Sequence, residues 1–389
     1  MAVNPRRVRM QIIAVASGKG GVGKSLISAN LAIALSQMGK SVVLADLDLG
    51  GSNLHLVLGE QVGTQGIGTF LNNGKTKITD ICYPTAWKNL TFIPGEAELP
   101  GAANVTSGAK RRLVRALNKL DGDYLILDLG AGTSFNTLDF FLLSGCGILV
   151  ATPSLPSTLN AYLFLKNAVF RILAGSYDRK SPVHSYMEGL RKDGTSLQKV
   201  HLNKLLEVVK TLDPAVYDRY RERVVQLRPR LVMNMLDDPR DVARSNRLRI
   251  SAREYLGIEM ESLGVVYRDH MQDAAQRSAL PIVAYKPQSV LSQAVYRLAD
   301  KITEMEWQGN GPLTNFDAEG SFREAEMEAE ADFNTKVSSL EELLHSGALT
   351  QGDLIETIRV QQMEIRSLKT ENRFLKKKIV DASKKGIRL

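Results

Sequence analysis

An α/β architecture is predicted for this chain: a doubly wound, mostly parallel sheet with helices on both faces. Three observations predict it. Short apolar, β-branched runs alternate with helical stretches over most of the first 302 residues, the pattern of a parallel sheet covered on both sides. The first run leads directly into Ser17-Gly18-Lys19-Gly20-Gly21-Val22-Gly23-Lys24-Ser25, which fits the phosphate-binding spacing G-x-x-x-x-G-K-[ST]. Two later runs carry aspartates at their carboxyl ends, Asp46 and Asp48 on one and Asp128 on the other, where ligands of such sheets lie.

Each element has its own signal. Gln11 to Ala16 is apolar and β-branched and reads as a buried strand. Leu26 to Met38 has apolar residues at helical spacing, and Gly39-Lys40 stops it. Ser41 to Ala45 is a second strand, and Asn89 to Ile93 a third, ended by Pro94-Gly95. The helical stretch Ala109 to Leu120 precedes a strand at Tyr124 to Leu127. Gly147 to Ala151 is stopped by Thr152-Pro153, and Arg230 to Met235 and Glu261 to Val266 complete the set. Between Leu173 and Gln226 the chain turns polar and charged, with Leu202, Leu205, Leu206, Val209 and Leu212 at helical spacing. A helical insertion with a structural role is expected there.

Beyond Trp307 the alternation stops. Gly309-Asn310-Gly311-Pro312 is a breaker cluster, and Phe316 to Phe333 is acidic. The expected organisation is an α/β domain over 1–306 with its insertion at about 173–226, an acidic linker or solvated helix over 307–336, and a helical tail over 337–389. Val337 to Leu344 reads as a short amphipathic helix. A heptad follows, with Ile358, Ile365, Asn372 and Ile379 at one position and Leu354, Gln361, Leu368 and Leu375 at the other. β-Branched residues at the first and Leu at the second favour a parallel two-stranded coiled coil, with Asn372 fixing the register and Gln361 weakening the seam. The alternative is one amphipathic helix laid on the protein's own body. The basic end (Lys376 to Lys378, Lys384-Lys385 and Arg388) suits an anionic membrane surface or nucleic acid, or simply water.

Composition narrows the classes. Of 389 residues, 44% are apolar and 24% charged, as in globular proteins, and no run has the length of a membrane-spanning helix. Arg6-Arg7-Val8-Arg9 and the apolar run after it mimic a signal peptide. The run is too short and leads straight into the glycine-rich segment, so export is not expected. Cys82 and Cys146 offer neither a disulfide framework nor metal-ligand spacing. A cytoplasmic address is expected, with the inner face of the cell membrane as a peripheral station. The net charge of +8 favours an anionic partner.

The glycine-rich segment carries the chemistry. The backbone of Gly20, Gly21, Val22 and Gly23 wraps a triphosphate, Lys24 reaches its β- and γ-phosphates, and Ser25 holds Mg²⁺. The strand before it and the helix after it give the P-loop NTPase context.

Lys19 makes the segment K-G-G-x-G-K-[ST], which resembles the deviant Walker A motif of the MinD/ParA family of P-loop ATPases. That resemblance implies that Lys19 contacts the nucleotide of a second subunit, so that ATP drives homodimerisation. It extends through Asp46-Leu47-Asp48-Leu49-Gly50-Gly51-Ser52-Asn53, which is similar to the D-x-D-x-G-x-x-N segment of MinD and FlhG. The resemblance places Asp46 in the Mg²⁺ water shell and gives Asp48 the attacking water; His55 stands where the family often has Asp. Asp128 is similar to the Walker B aspartate that holds Mg²⁺ through water, and Gly130-Ala131-Gly132 resembles the glycine turn that follows it. Asn234 matches the family's adenine-binding Asn, and Leu280-Pro281-Ile282-Val283 the segment around the base. The likeness covers about Arg9 to Ile302 without the insertion.

It implies an ATP- and Mg²⁺-dependent switch, slow to hydrolyse without a protein partner, that positions or assembles a division, flagellar or similar machine. Alternatives are a ParA-like partition ATPase on nonspecific DNA and a nucleotide-dependent scaffold with little hydrolysis. An Mrp-like iron–sulfur scaffold ranks last, because no C-x-x-C pair occurs.

Overall fold

The computed structural model describes residues 10–61, 63, 65–95, 105–144, 146–192, 201–305, 317–346 and 351–384. The chain divides into two compact units, Met1–Asp332 and Phe333–Leu389.

The first unit begins with β1 (Gln11–Ala16), α1 (Lys24–Gln37), β2 (Val42–Leu47), α2 (Leu54–Leu58) and α3 (Ile67–Asn72). Then come β3 (Tyr83–Pro84), β4 (Leu90–Ile93), α4 (Ser107–Leu117), β5 (Tyr124–Leu129), α5 (Phe135–Phe141), β6 (Cys146–Ala151) and α6 (Leu155–Ala174). Helices α7 (Pro182–Lys192), α8 (Leu202–Leu212) and α9 (Pro214–Val225) form the insertion. The unit continues through β7 (Arg230–Leu236), α10 (Ala243–Leu256), β8 (Glu261–Tyr267), α11 (Met271–Arg277), α12 (Ile282–Tyr285) and α13 (Val290–Glu304).

Eight strands form one sheet in the order β3-β4-β2-β5-β1-β6-β7-β8. All neighbours are parallel except the two-residue pairing of β3 with β4. β1 lies between β5 and β6, so chain order changes direction at the strand that feeds the glycine-rich loop. Strands β2, β5 and β6 are buried at every position, because helices cover both faces. α1 is buried round most of its circumference, through Ile27, Leu31, Ile33 and Leu35 but also Ser28 and Asn30. A helix with so little exposed surface lies inside the molecule.

The insertion is helical as expected. Leu202, Leu205 and Val209 of α8 are buried, and so are Val216, Tyr220 and Val224 of α9. Asp213 ends α8 and caps α9 by accepting from the Val216 amide, with Pro214 in the first turn. Arg219 and Arg223 donate to the Ser176 and Ile172 carbonyls, which ties α9 to the end of α6.

The acidic stretch differs from the linker or solvated helix read from the sequence. Residues 318–332 form the start of α14 (Ala318–His345), and Phe322, Ala325, Ala329 and Asp332 on one side of it are buried in the first unit. The Ser321 hydroxyl accepts from the Ser262 amide, Tyr267 donates its hydroxyl to the Ala329 carbonyl, and Arg297 pairs with Asp332 at 2.5 Å. Lys301 pairs with Glu328 at 2.7 Å. The acidic residues hid a stripe of small and aromatic side chains, and several of the charges meet basic partners rather than water.

In the second unit α14 runs to His345, longer than the short helix expected at Val337 to Leu344, and α15 (Gln351–Lys384) is one continuous helix. Its heptad residues Ile358, Ile365, Leu368 and Leu375 are exposed. The breaker cluster 309–312 and the basic residues beyond Lys384 lie outside the described residues.

Candidate active site

The loop between β1 and α1 needs backbone angles that only glycine takes freely. Gly21 and Gly23 have φ of 75° and 86°. Gly23 stands at the N-cap of α1 with no side-chain cap, so the first amides of this buried helix face the loop. Gly18 is constrained from outside: a Cβ there would lie 2.2 Å from the Asn160 carbonyl oxygen of α6. The Ser17 hydroxyl donates to the Lys19 carbonyl at 2.9 Å, and the Ser17 carbonyl accepts from the Gly132 amide at 2.9 Å. The loop is thus bound to the turn after β5.

Three of the expected residues meet. Lys24 Nζ lies 2.9 Å from Asp128 Oδ2, and Ser25 Oγ donates to the same oxygen at 2.7 Å. Ser28, one turn further along α1, donates to Asp128 Oδ1 at 2.7 Å. No sequence pattern singles out Ser28, yet its hydroxyl fixes the carboxylate's rotation and leaves Oδ2 for Lys24 and Ser25. In register, Asp46 on β2 is the direct partner of Asp128 on β5.

Asp46 is fully buried and serves the loop that follows it. It accepts from the Ser52 hydroxyl at 2.6 Å and from the amides of Asp48 and Leu54 at 3.0 and 3.3 Å. Burial, joined by the charge of Asp128, pushes its carboxyl up to about 6, against the lowering effect of those three bonds. Asp48 is half-buried, and its Oδ1 sits 3.1 Å from where a Cβ on Gly130 would be. The glycine after β5 therefore leaves room for this carboxylate.

The remaining candidates are spread wider. Lys19 is half-buried. Asn234, at the end of β7, donates its side-chain amide to the Val22 carbonyl at 2.8 Å and crowds Gly23. Met235, next to it, has a φ of 59° within an irregularity of the β7–β8 pairing. Such strain often marks a functional site. Pro281 starts α12, and the loop around it is anchored by Asn30 of α1, whose Oδ1 accepts from the Val283 amide at 3.2 Å.

These residues fit a triphosphate with a hard cation. Open glycine backbone at Gly20 and Gly21, an uncapped helix start and a lysine suit phosphate, and a hydroxyl beside a carboxylate suits Mg²⁺. Among the described residues no cluster of three or more metal-ligating side chains occurs. The cation would take most of its ligands from phosphate and water, as Mg²⁺ commonly does. The two cysteines do not pair: Cys146 is buried in β6, and Cys82 is half-buried with its thiol donating to the Ile78 carbonyl.

Comparison with known proteins agrees with this geometry. Residues 8–162 match the ParA family model, described as the NUBPL iron-transfer P-loop NTPase. The flagellum site-determining protein YlxH of Helicobacter pylori is 34% identical over 159 residues, 40% of this chain and 53% of that protein. The septum site-determining protein MinD of the same organism is 32% identical over 151 residues, 38% of this chain and 54% of that one. The antiactivator FleN of Pseudomonas aeruginosa is 28% identical over 189 residues, 46% and 64% of the two chains. The chain thus spans about half the length of the first two relatives. Among solved structures, the Pyrococcus furiosus cell division ATPase MinD superposes with a TM-score of 0.52 at 22% identity, over 76% of this chain and 98% of that one. MinD of Pyrococcus horikoshii in complex with Mg-ADP gives 0.51 at 22% identity, over 76% and 96%. These superpositions concern the fold, and no helix among the described residues is long and apolar enough to cross a membrane. Glycine loop, buried lysine–aspartate pair, sheet order and sequence matches together identify a P-loop NTPase domain of the ParA/MinD family within this chain.

Proposed function

We propose that this chain is an ATP-binding and ATP-hydrolysing switch that pairs with a second copy in the nucleotide-bound state and regulates the positioning or assembly of a cellular machine. One observation carries the reading: Lys24 and Ser25 converge on Asp128 at the uncapped start of α1. Lys24 would exchange its pairing with Asp128 for the β- and γ-phosphates. Ser25 and Asp128 would then hold Mg²⁺, with Ser28 keeping the carboxylate in its present rotation. When bound, the ion neutralises phosphate charge during transfer. Asp48 would orient the attacking water for in-line displacement. Asp46 would keep the loop carrying Ser52 and Leu54 in place and reach the ion's water shell. Lys19 would supply a cation to the partner's nucleotide, where two triphosphates face each other. Asn234 and the Pro281 loop would border the base.

The names of YlxH, MinD and FleN support a regulatory role of this kind. The exposed heptad of α15 supports a tethered version. A tail coiled coil would hold two domains at high effective concentration, so that ATP gates docking rather than encounter.

Two measurements test the reading. Steady-state ATP hydrolysis is expected in the native chain and lost in Asp48→Ala, with ATP binding kept. Equal hydrolysis by both would remove the role given to Asp48, and no binding of ATP with magnesium would remove the whole proposal. Sedimentation with and without ATP, for Lys19→Ala and for a chain ending at residue 346, then reads the dimer. An ATP-independent native dimer that becomes monomeric on truncation supports the tether.

A further inference from the structure

The charges along α15 have no role in the chemistry above. The helix is continuous over 34 residues, and its seam residues Ile358, Ile365, Leu368 and Leu375 are between 48% and 54% exposed. An apolar seam this open along one helix marks an interaction surface. Its residues suit two strands but leave their direction open. A parallel pair in register sets Asn372 against the second Asn372, and an antiparallel pair in full overlap sets it against Gln361. Both place polar against polar.

The flanking charges decide. Glu364 and Glu371 stand just before the seam residues Ile365 and Asn372, and Lys369 and Lys376 just after Leu368 and Leu375. Lys369, Glu371 and Lys376 are exposed. Their own helix offers these four charges no partner at helical spacing. No cation stands three or four residues from either glutamate, and no carboxylate from either lysine. Charges on the outer face differ: Glu356 and Arg359 are three apart, and Lys377 and Asp381 four.

A parallel copy supplies what is missing. Glu364 then faces Lys369 of the second copy and Glu371 faces Lys376, and the symmetry makes each contact twice. Antiparallel overlap makes none of these contacts. It sets Glu364 against Glu371 of the second copy, twice, and leaves the lysines beside Gln362 and Ile355. We propose that α15 pairs with a parallel, in-register second copy of itself, and that the Glu364–Lys369 and Glu371–Lys376 contacts between copies select both the partner and its direction.

This deepens the tethered version of the switch. In a parallel pair both chains enter the coil at Leu354, so both first units are joined to the same end. Antiparallel pairing would separate the entry points by the rise from Leu354 to Ile379, about 38 Å. Joining at one end is what lets ATP gate docking rather than encounter. That consequence rests on the nucleotide reading, whereas the pairing does not.

The test uses the full chain without nucleotide. Sedimentation at low micromolar concentration should show a dimer, and the chain ending at residue 346 a monomer. Glu364→Lys with Glu371→Lys sets lysine against lysine in the parallel pair and should weaken the dimer about tenfold or more. Adding Lys369→Glu and Lys376→Glu restores opposite charges and should restore the dimer, which excludes misfolding as the cause of the loss. Direction is read by mixing this fully exchanged chain with the native one, each carrying a fluorophore. A parallel mixed dimer sets like charges together, so the two chains should sort without energy transfer. An antiparallel one sets opposite charges together and would be favoured. Oxidised Ile358→Cys should link two copies, against the native chain as the control for Cys82 and Cys146. Antiparallel overlap would hold those positions about 26 Å apart. A monomeric native chain, a dimer unchanged by truncation or by the two glutamate substitutions, mixed dimers in preference to sorting, or no link at residue 358 overturns the proposal. A chain that dimerises only with ATP overturns the tail pairing and leaves the switch, and a tail-dependent dimer that binds no ATP does the reverse.

Discussion

Replacing Asp128 with alanine removes the group on which three side chains of α1 converge. Its side chain is 1% exposed and that of Lys24 7%, so solvent screens neither charge appreciably. The substitution leaves Lys24 as a buried cation without its carboxylate, deprives Ser25 of its acceptor and leaves Ser28 only the Lys24 carbonyl. Breaking a buried pair from one side costs about 3–5 kcal/mol, most of it the desolvation of the charge left behind. The nucleotide-free variant should therefore unfold in urea with a stability lower by about that amount. A triphosphate supplies the missing negative charge. ATP in the presence of EDTA should then stabilise the variant more than the wild type, in which the phosphates must first displace Asp128. Magnesium should add to ATP's effect only in the wild type. Far-UV circular dichroism of the full chain, with and without ATP and magnesium, reads all of this. Wild-type stability of the nucleotide-free variant, or equal stabilisation of both proteins by ATP and magnesium, would refute the reasoning.

Other outcomes follow from contacts elsewhere. Gly18→Ala places a methyl group 2.2 Å from the Asn160 carbonyl oxygen, so loop and α6 must separate; calorimetry should show nucleotide binding at least tenfold weaker, with a loss of about 1–3 kcal/mol in stability. Phe322→Ala empties a buried site beneath Arg249, whose guanidinium lies 5.4 Å from the ring centroid, and should cost about 3–5 kcal/mol in urea unfolding. Asp139 joins α4, α5 and α6. Burial alone would raise its carboxyl, but hydrogen bonds and charge from Arg171 and Lys110 outweigh that and hold it below its ordinary 3.8. Its contribution is present above the ordinary value and is lost as pH falls through the lower folded one. Urea midpoints of the wild type and Asp139→Asn should accordingly differ at pH 6 and converge on acidification below about pH 4.

Much of this fold was legible because the strands are buried on both faces and read as unbroken apolar runs. β1 was read to the residue, and β2, β5 and β7 extend one or two positions beyond their expected ends. Those extra positions include Asp46 and Leu129 at the site, where a polar residue or a glycine turn blurs the hydrophobic signal. β3 escaped because two residues containing a proline carry no strand pattern. Lys24, Ser25 and Asp128 were found through spacing and strand context. Ser28 and Ser52 were not, since a lone serine on a helix or loop looks the same whether it faces water or a carboxylate. The start of α14 was obscured by its composition: its buried side is Phe322, Ala325 and Ala329, too small a stripe to outweigh the glutamates between them.

The position of α14 settles where the sheet stops. In a parallel ladder alternate amides of the last strand point away from their neighbour, and β8 directs the Ser262 amide outward, where the Ser321 hydroxyl meets it in place of a ninth strand. At the opposite margin β3 is only Tyr83–Pro84, too short to template an addition. A shortened chain ending at residue 305 would uncover the outer margin of β8 and offer it to any extended polypeptide nearby. That margin is thus covered by a stretch that its glutamates alone would have assigned to the solvent.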